Sequence, residues 1–367
     1  MPFDSSLIDP AVARYRRERD RYVKLADRVA EICRGDVCEQ NAIRAQVTFR
    51  VKTEKSFEAK LRRFSSDEHR NYSNIDEIFD SISDLAGVRI SAYQYEDCNR
   101  IVDGLKSVFR GPVNEKDISI DVKDKKNDDN SKYYRAIHVQ VSLIDDDLVG
   151  TYDNVGDISC EIQVCTMMAH VWNEIEHDIG YKTEFVGLSK DEAYHLDQLG
   201  ALVRQGDISI SSLMKSHDRK RNDQIKKADG SDLGQEFVDV HGFVSRMRDF
   251  YGEFTPSFPE NSGQLFDICC DLGIKSLHDV RNVLGDLNFD NARKDLVEFN
   301  EIISGEGLHE LCLSPETSDL MLISLIGKKL DDILVLLKGR AGRGKGRPTR
   351  LHRIVLNYNK ISHNLKK

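Results

Sequence analysis

Five short segments with strand-like patterns lie between residues 43 and 165, and their alternation with helical patterns most constrains the fold. The first, residues 43–52, is apolar at every second position, which is typical of a strand with one buried face. Strands interleaved with helices predict an α/β (α+β) fold, a mixed β-sheet flanked by helices. In chain order the other segments are helices at 53–64 and 75–82, a strand at 87–93, a helix at 96–109, strands at 118–122, 134–143 and 158–165, and a helix at 166–179.

The residues on either side of this region carry helical patterns only. Asp9-Pro10 predicts an N-cap and first helical residue, with the helix running to about Ile32. After residue 188 no convincing strand is found, and a polar stretch with two glycines indicates a linker. We therefore predict an N-terminal helix at 1–40, a sheet domain at 41–185, a helical extension at 186–221, a linker at 222–235, an all-helical C-terminal region at 236–337 and a basic tail at 338–367.

Charge is unevenly distributed along the chain. The net charge is −9, yet residues 338–367 hold ten Lys or Arg and no acid, and GRAGRGKG within them predicts a flexible segment. If the protein contacts RNA or tRNA, the tail is the segment we expect to do so. No apolar run reaches the roughly 18 residues of a spanning helix, and no signal peptide is visible, so we expect a soluble cytoplasmic protein without membrane contact.

The eight cysteines show neither a CxxC pair nor histidines at metal-ligand spacing. We predict reduced, mostly buried thiols rather than a zinc site.

A first group of polar residues surrounds the turn after the first strand. Arg50 and Lys52 are two apart on a strand and project to one side, whereas Ser56 and Lys60 are four apart on the next helix and share a face. Three cations and a hydroxyl near a helix N-terminus suit a polyphosphate. A solvated basic edge is the alternative.

Two acids are associated with later strands. Asp84 precedes the strand in DLAGVRI, where a carboxylate suits magnesium, although it can equally be a turn or cap residue. Glu161 lies within the apolar strand EIQVCT, and its burial needs a partner or a task, such as binding metal or activating a sugar hydroxyl. Arg89, on the strand after Asp84, is suited to stacking on a base.

Two further motifs carry aromatic and imidazole groups. In YYRAIH, Tyr134 and His138 share a strand face, so Tyr134 can offer a stacking platform; an ordinary sheet surface is the alternative. In AHVWNEIEHDIGYK, His170, Glu174 and His177 share a helix face, but the spacing is not that of HExxH zinc proteases. We interpret these as polar residues that pack the helix beneath the sheet.

The order and spacing of RxKxxxSxxxK, DLAGVRI, YYRAIH, EIQVCT and AHVWNEIEHDIGYK resemble the RelA/SpoT-type alarmone synthetase domain, over roughly residues 40–185. This resemblance implies a nucleotidyltransferase-like synthetase core that uses Mg²⁺ and moves pyrophosphate from ATP to the 3′-hydroxyl of GDP or GTP. Long members of the family precede this domain with a metal-dependent hydrolase domain, for which the N-terminal residues leave no room. A synthetase-only member is therefore expected.

The resemblance also implies roles on the ATP side. Arg50 and Arg89 match arginines that sandwich the adenine. Lys52, Ser56 and Lys60 match phosphate-binding residues.

Metal and acceptor roles follow in the same way. Asp84 matches the magnesium ligand, and Glu161 matches the carboxylate that binds metal and activates the acceptor 3′-hydroxyl. Tyr134 matches a tyrosine that stacks on guanine, with His138 and Gln163 on the acceptor side.

One departure and two alternatives remain. Cys165 stands where the family commonly has arginine, which implies altered packing or acceptor contacts. A toxin-type member would place pyrophosphate on the 3′ end of tRNA, or make adenine alarmones, with residues 338–367 contacting RNA. A non-catalytic regulator would retain the pocket only to sense nucleotides. A homo-oligomer is compatible with the sequence.

Overall fold

The computed structural model describes residues 3–67, 70–112, 115–124, 135–181, 188–227, 233–251, 255–285, 289–340 and 348–365. The chain divides into two compact units. The sheet unit comprises Met1–Val37 and Arg44–Leu213, and the helical unit comprises Cys38–Ile43 and Met214–Lys367. A mixed sheet with flanking helices, followed by a helical region, confirms the predicted α/β (α+β) class.

Five strands form one sheet in the order β1-β2-β5-β4-β3. The central pair, β2 and β5, is parallel, and the other three pairs are antiparallel. Because β1 lies at an edge, Phe49 on its apolar side stays 40% exposed. The strands are β1 Ala45–Val51, β2 Ala86–Ala92, β3 Ser119–Asp124, β4 Arg135–Val141 and β5 Cys160–Thr166.

The helices of the sheet unit are close to those expected from sequence. They are α1 Ile8–Ile32, α2 Glu54–Ser65, α3 Ile75–Ser81, α4 Tyr95–Val108, α5 Met167–Glu176 and the first part of α6 Lys190–Lys227, whose residues from Met214 onward belong to the helical unit. The prediction that Asp9 caps α1 was wrong: a short 3₁₀ turn, Ser5–Leu7, runs straight into the helix, and Leu7 occupies the N-cap. Short π-helical segments, Cys33–Glu39 and His177–Tyr181, extend α1 and α5.

One face of the sheet is apolar and buried. Its central positions are Val88, Ile90, Ile162, Val164 and Val139, none more than 2% exposed. The helices α1 and α4 pack against β2 and β5. These two helices bury the apolar face, whereas α5 packs on the opposite face. Because side chains alternate along each strand, the polar residues lie on that opposite face.

Among the described residues, helices cover the opposite, polar face at one end. There Cys165 and Ala136 pack beneath Ala169 and Trp172 of α5 and Val203 of α6. The indole N–H of Trp172 donates to the Leu196 carbonyl at 3.0 Å, which fixes α5 against α6. This packing closes one end of the polar face.

The helical unit has its own hydrophobic core. Its helices are α7 Val240–Tyr251, α8 Ser262–Asp271, α9 Leu277–Leu284, α10 Phe289–Gly305, α11 Asp319–Leu337 and α12 Arg350–Leu365. Among the described residues after 188 no strand is present beyond an isolated bridge between Glu236 and Ser276. The predicted linker 222–235 is helical up to Lys227, because α6 continues that far.

The expectation of a separate basic tail at 338–367 needs correction. Residues 350–365 form α12, which buries Leu351, Ile354 and Val355 in the core of the helical unit. Arg350 donates to the Cys312 carbonyl at 3.0 Å, and Arg353 pairs with Glu310 at 2.8 Å. These two cations are therefore engaged inside the unit. The glycine-rich residues 341–347 lie outside the described part of the chain.

Two absences expected from the sequence can be compared with the structure. All eight cysteines are free and six are buried, in agreement with the predicted thiols. Within the described ranges, no helix is both long enough and apolar enough to cross a bilayer.

Candidate active site

Strand register brings the polar side chains together in two rows. Residues paired across neighbouring strands point to the same side of a sheet. One row consists of Arg50, Gly87, Glu161 and Gln140, on β1, β2, β5 and β4. The next row consists of Thr48, Arg89, Gln163 and His138. Five residues singled out from sequence thus share the polar face.

A corner formed by Asp84, Lys52 and Lys60, here called the Asp84 corner, lies at the open end of this face. The Lys52 ammonium is 2.9 Å from Asp84 Oδ2, and the Lys60 ammonium donates to Oδ1 at 2.7 Å. The Lys52 amide donates to the Leu85 carbonyl, and the buried Tyr15 hydroxyl donates to the Lys52 carbonyl at 2.7 Å. Both contacts hold the exit of β1 against the turn that carries Asp84.

The two lysines determine the charge state of Asp84. Burial alone would raise the pKa of Asp84, but the ammonium groups of Lys52 and Lys60 outweigh it and hold the pKa below its ordinary value. The corner is therefore an ionised carboxylate with two cations at neutral pH.

Glu161 is held by side chains from neighbouring strands, here called the Glu161 network. Gln163 donates to Oε1 at 2.7 Å, Gln140 donates to Oε2 at 3.2 Å, and His138 Nδ1 is 3.4 Å from Oε2. Burial would raise the pKa of Glu161, but contacts with His138 and Gln163 outweigh it and lower the pKa. The isolated strand carboxylate thus has the partners that its burial requires.

The two acids influence each other. Asp84 lies just before β2, on which Gly87 is the register partner of Glu161, and the charge of Asp84 acts to raise the pKa of Glu161. Their mutual repulsion would be relieved by a cation between them.

Arg89 is anchored at the closed end of the polar face. Its guanidinium lies 2.7 Å from Glu174, 3.1 Å from His170 Nδ1 and 3.4 Å from Gln163 Oε1. Burial and then the charge of Arg89 lower the pKa of His170, which favours a neutral ring that accepts from the guanidinium. Sequence reasoning gave His170 and Glu174 a packing role only; their spacing of four on α5 was the available signal.

Other site candidates are exposed. Arg50 is exposed and, among the described residues, has no ion pair or hydrogen bond from its side chain. Ser56 is exposed at the start of α2, where its amide donates to the Thr53 side chain. A Cβ built on Gly87 would lie at ordinary contact distance from Arg50 Cγ, 3.7 Å, and from the Glu161 carbonyl oxygen, 3.8 Å, so a small side chain would fit there between Arg50 and Glu161.

Two residues named from the sequence require separate mention. Cys165 lies on the same face as Gln163, but it is buried beneath α5, and burial raises the pKa of its thiol to about 11. It is a packing residue in this chain. Tyr134 lies outside the described residues.

The two carboxylates, Asp84 and Glu161, are the potential ligands for magnesium in this site. Mg²⁺ commonly binds one or two carboxylates together with water and substrate phosphates. Asp84 and Glu161 supply two hard oxygen ligands, and the described residues contain no cluster of three or more potential ligands. The pair fits magnesium shared with a polyphosphate and not a site built from protein alone.

Comparison with known proteins identifies this part of the chain. Residues 49–185 match the family model described as a region found in RelA/SpoT proteins. The chain therefore contains a RelA/SpoT region. The match covers both acids, the Asp84 corner and the Glu161 network, so the polar face is the polar face of a RelA/SpoT domain.

Solved structures with some likeness to the chain include three bacterial proteins. Small alarmone synthetase 1 from Bacillus subtilis is 22% identical, with a TM-score of 0.43, over 56% of this chain and 98% of the other. A GTP pyrophosphokinase family protein from Streptococcus pneumoniae is 23% identical, with a TM-score of 0.43, over 55% and 94%. Small alarmone synthetase 2 from B. subtilis is 24% identical, with a TM-score of 0.40, over 54% and 98%. No protein of curated function matches the chain. The assignment of the RelA/SpoT domain therefore rests on the family match.

Proposed function

We propose that the RelA/SpoT domain transfers pyrophosphate from ATP to the 3′-hydroxyl of GDP or GTP. The observation that carries this proposal is the ionised Asp84, held by two lysines just before β2, whose Gly87 pairs with Glu161 on β5, all within residues 49–185. Two ionised acids next to cations suit a nucleoside triphosphate with its metal.

Each side chain then has a role in the transfer. Lys52, Lys60 and Ser56 bind the ATP phosphates, and Arg50 and Arg89 bind its adenine. Magnesium held by the two acids would supply charge neutralisation on the transferred group. The lysines need only exchange Asp84 for phosphate oxygens, because their flexible side chains reach from the edge of the same cleft.

Glu161 acts on the acceptor. Its lowered pKa keeps it ionised at neutral pH, so it accepts the hydrogen bond, and then the proton, of the attacking 3′-hydroxyl. The new bond joins that oxygen to the β-phosphorus of ATP, and the bond from this phosphorus to the α–β bridging oxygen breaks, releasing AMP. His138 and Gln163 hold the carboxylate in place, and Tyr134 stacks on the acceptor base.

A labelling experiment tests the proposal. Purified full-length protein is incubated with Mg²⁺, γ-labelled ATP and, separately, GDP, GTP, ATP or tRNA. We expect labelled guanosine product and an equal amount of AMP with GDP or GTP, no product from Glu161→Gln, and normal product from the control Glu58→Gln, at a surface ion pair on α2. Label appearing only in tRNA or in an adenine product would mean that the acceptor is tRNA or an adenine nucleotide, and not GDP or GTP. ATP binding without turnover on any acceptor would indicate a nucleotide sensor.

A further inference from the structure

Gln140 is a side chain of the polar face to which neither sequence motifs nor the family match give a role. It lies on β4 directly opposite Glu161 on β5. Its amide donates to Glu161 Oε2 at 3.2 Å, and His138, two residues earlier on the same strand face, lies 3.4 Å from the same oxygen. Gln140 is therefore in direct contact with the carboxylate that we assign to the acceptor hydroxyl.

The orientation of the Gln140 amide follows from its partner. An ionised carboxylate only accepts hydrogen bonds, so the amide nitrogen must face Glu161 and the carbonyl oxygen must face away. That oxygen, Oε1, is buried and accepts no hydrogen bond from any residue in the described ranges. A buried acceptor without a partner is destabilising, and native proteins seldom retain one without a reason.

We infer that Gln140 Oε1 accepts a hydrogen bond from the 2′-hydroxyl of the acceptor ribose and so selects ribonucleotide over deoxyribonucleotide acceptors. This inference rests on the proposed function. The 2′- and 3′-hydroxyls are carried by adjacent carbons and lie about one hydrogen-bond length apart. If Glu161 accepts a hydrogen bond from the 3′-hydroxyl, the 2′-hydroxyl is the hydrogen-bond donor of the substrate that lies nearest to Gln140.

The test compares GDP with 2′-deoxy-GDP by the ratio of their kcat/KM values. A site that hydrogen-bonds a substrate hydroxyl rejects the analogue without it, because its own buried group is left unpaired. We expect the native protein to prefer GDP roughly tenfold or more. In Gln140→Met, which keeps the length but removes the amide, the ratio should fall close to one, mainly through loss of GDP use. The matched control is Gln46→Met, at an exposed position of β1, which should keep the native ratio.

Failure of the inference about Gln140 can be distinguished from failure of the proposed function. Absence of transfer to GDP in the native protein refutes the function before any ratio is measured. A native ratio near one, or a native preference that survives in Gln140→Met, overturns the role of Gln140 alone. The ratio does not depend on the fraction of the variant that is folded. If Gln140→Met is inactive, the preference is measured instead by calorimetric binding of GDP and 2′-deoxy-GDP in the presence of a non-reactive ATP analogue. Should that variant not fold, Gln140→Asn, which retracts the amide by one methylene, is expected to show the same loss of preference.

Discussion

The Asp84 corner and the Glu161 network keep two neighbouring acids ionised by different means. Two lysines on long, flexible side chains neutralise Asp84, whereas amides and an imidazole on adjacent strands hold Glu161. Lysine ends can leave a carboxylate for a phosphate at little cost in strain. Short groups fixed by strand register cannot move in this way, so the comparison indicates an adaptable donor side and a preorganised acceptor side.

The largest predicted effects come from neutralising either acid. Asp84→Asn and Glu161→Gln should each lower kcat about 10³-fold at ordinary Mg²⁺ concentrations, through loss of a ligand or of the base. They should then differ: raising Mg²⁺ should restore part of the activity of Asp84→Asn, because only metal affinity is lost. It should not restore Glu161→Gln, which also lacks the proton acceptor. Steady-state rates across a magnesium titration make the measurement.

Equal rescue of both variants by Mg²⁺ would show that Glu161 is not the proton acceptor. The contrast between the Asp84 corner and the Glu161 network would then be wrong. Glu58→Gln serves as the control, because it removes a carboxylate from an exposed ion pair on α2.

A second prediction concerns Gly87, which lies between Arg50 and Glu161 in the strand register. A Cβ there meets only ordinary contacts of 3.7–3.8 Å, so Gly87→Val should fold normally, and a β-branched residue suits a strand. Its methyl groups would occupy the cleft between Arg50 and Glu161. We expect kcat/KM for ATP to fall roughly 10²-fold, with the thermal midpoint unchanged. Gly87→Ala, with one small group, should show a much smaller loss; full activity of the valine variant would mean that no ligand approaches Gly87.

A third prediction tests how Arg89 is positioned. Glu174→Gln removes the charge 2.7 Å from the guanidinium but keeps the side chain length. Glu174 is about half exposed, so the pair is worth little in stability, and KM for ATP should rise only about three- to fivefold with kcat nearly unchanged. A change confined to the acceptor KM would move Arg89 to the acceptor side.

Much of the sheet unit follows from local patterns. The alternation at 158–165 already separates Glu161 and Gln163 from Ile162 and Val164, and the structure has them on opposite faces. Pattern alone does not determine which strand lies beside which, because register depends on contacts between distant residues. The neighbour of Glu161 on β4 was therefore not predictable, and Gln140 was missed.

The helical unit shows a second limit. The composition of 338–367 predicted a basic tail, but Leu351, Ile354 and Val355 have the spacing of a helix face and are buried. The basic residues reflect the exposed side of α12, and the composition of the segment gave no indication of its apolar side. Deleting this segment to test RNA contact would also expose the core, so single charge changes within it are the better test.

The smallest predicted effect is a pH dependence of stability from His170. Its pKa is lowered in the folded protein, first by burial and then by Arg89, so below about pH 6.5, the ordinary histidine value, the unfolded chain binds the proton more strongly. Stability from this contact is complete above that value and falls as pH drops toward the folded pKa. Because the ring is only partly buried, we expect less than about 1 kcal/mol. Urea unfolding at pH 7.5 and 5.5 should show a smaller loss on acidification in His170→Asn than in the native protein. The control His195→Asn, at an exposed position of α6, should lose as much as the native protein; equal losses in all three would mean that Arg89 does not influence His170 in solution.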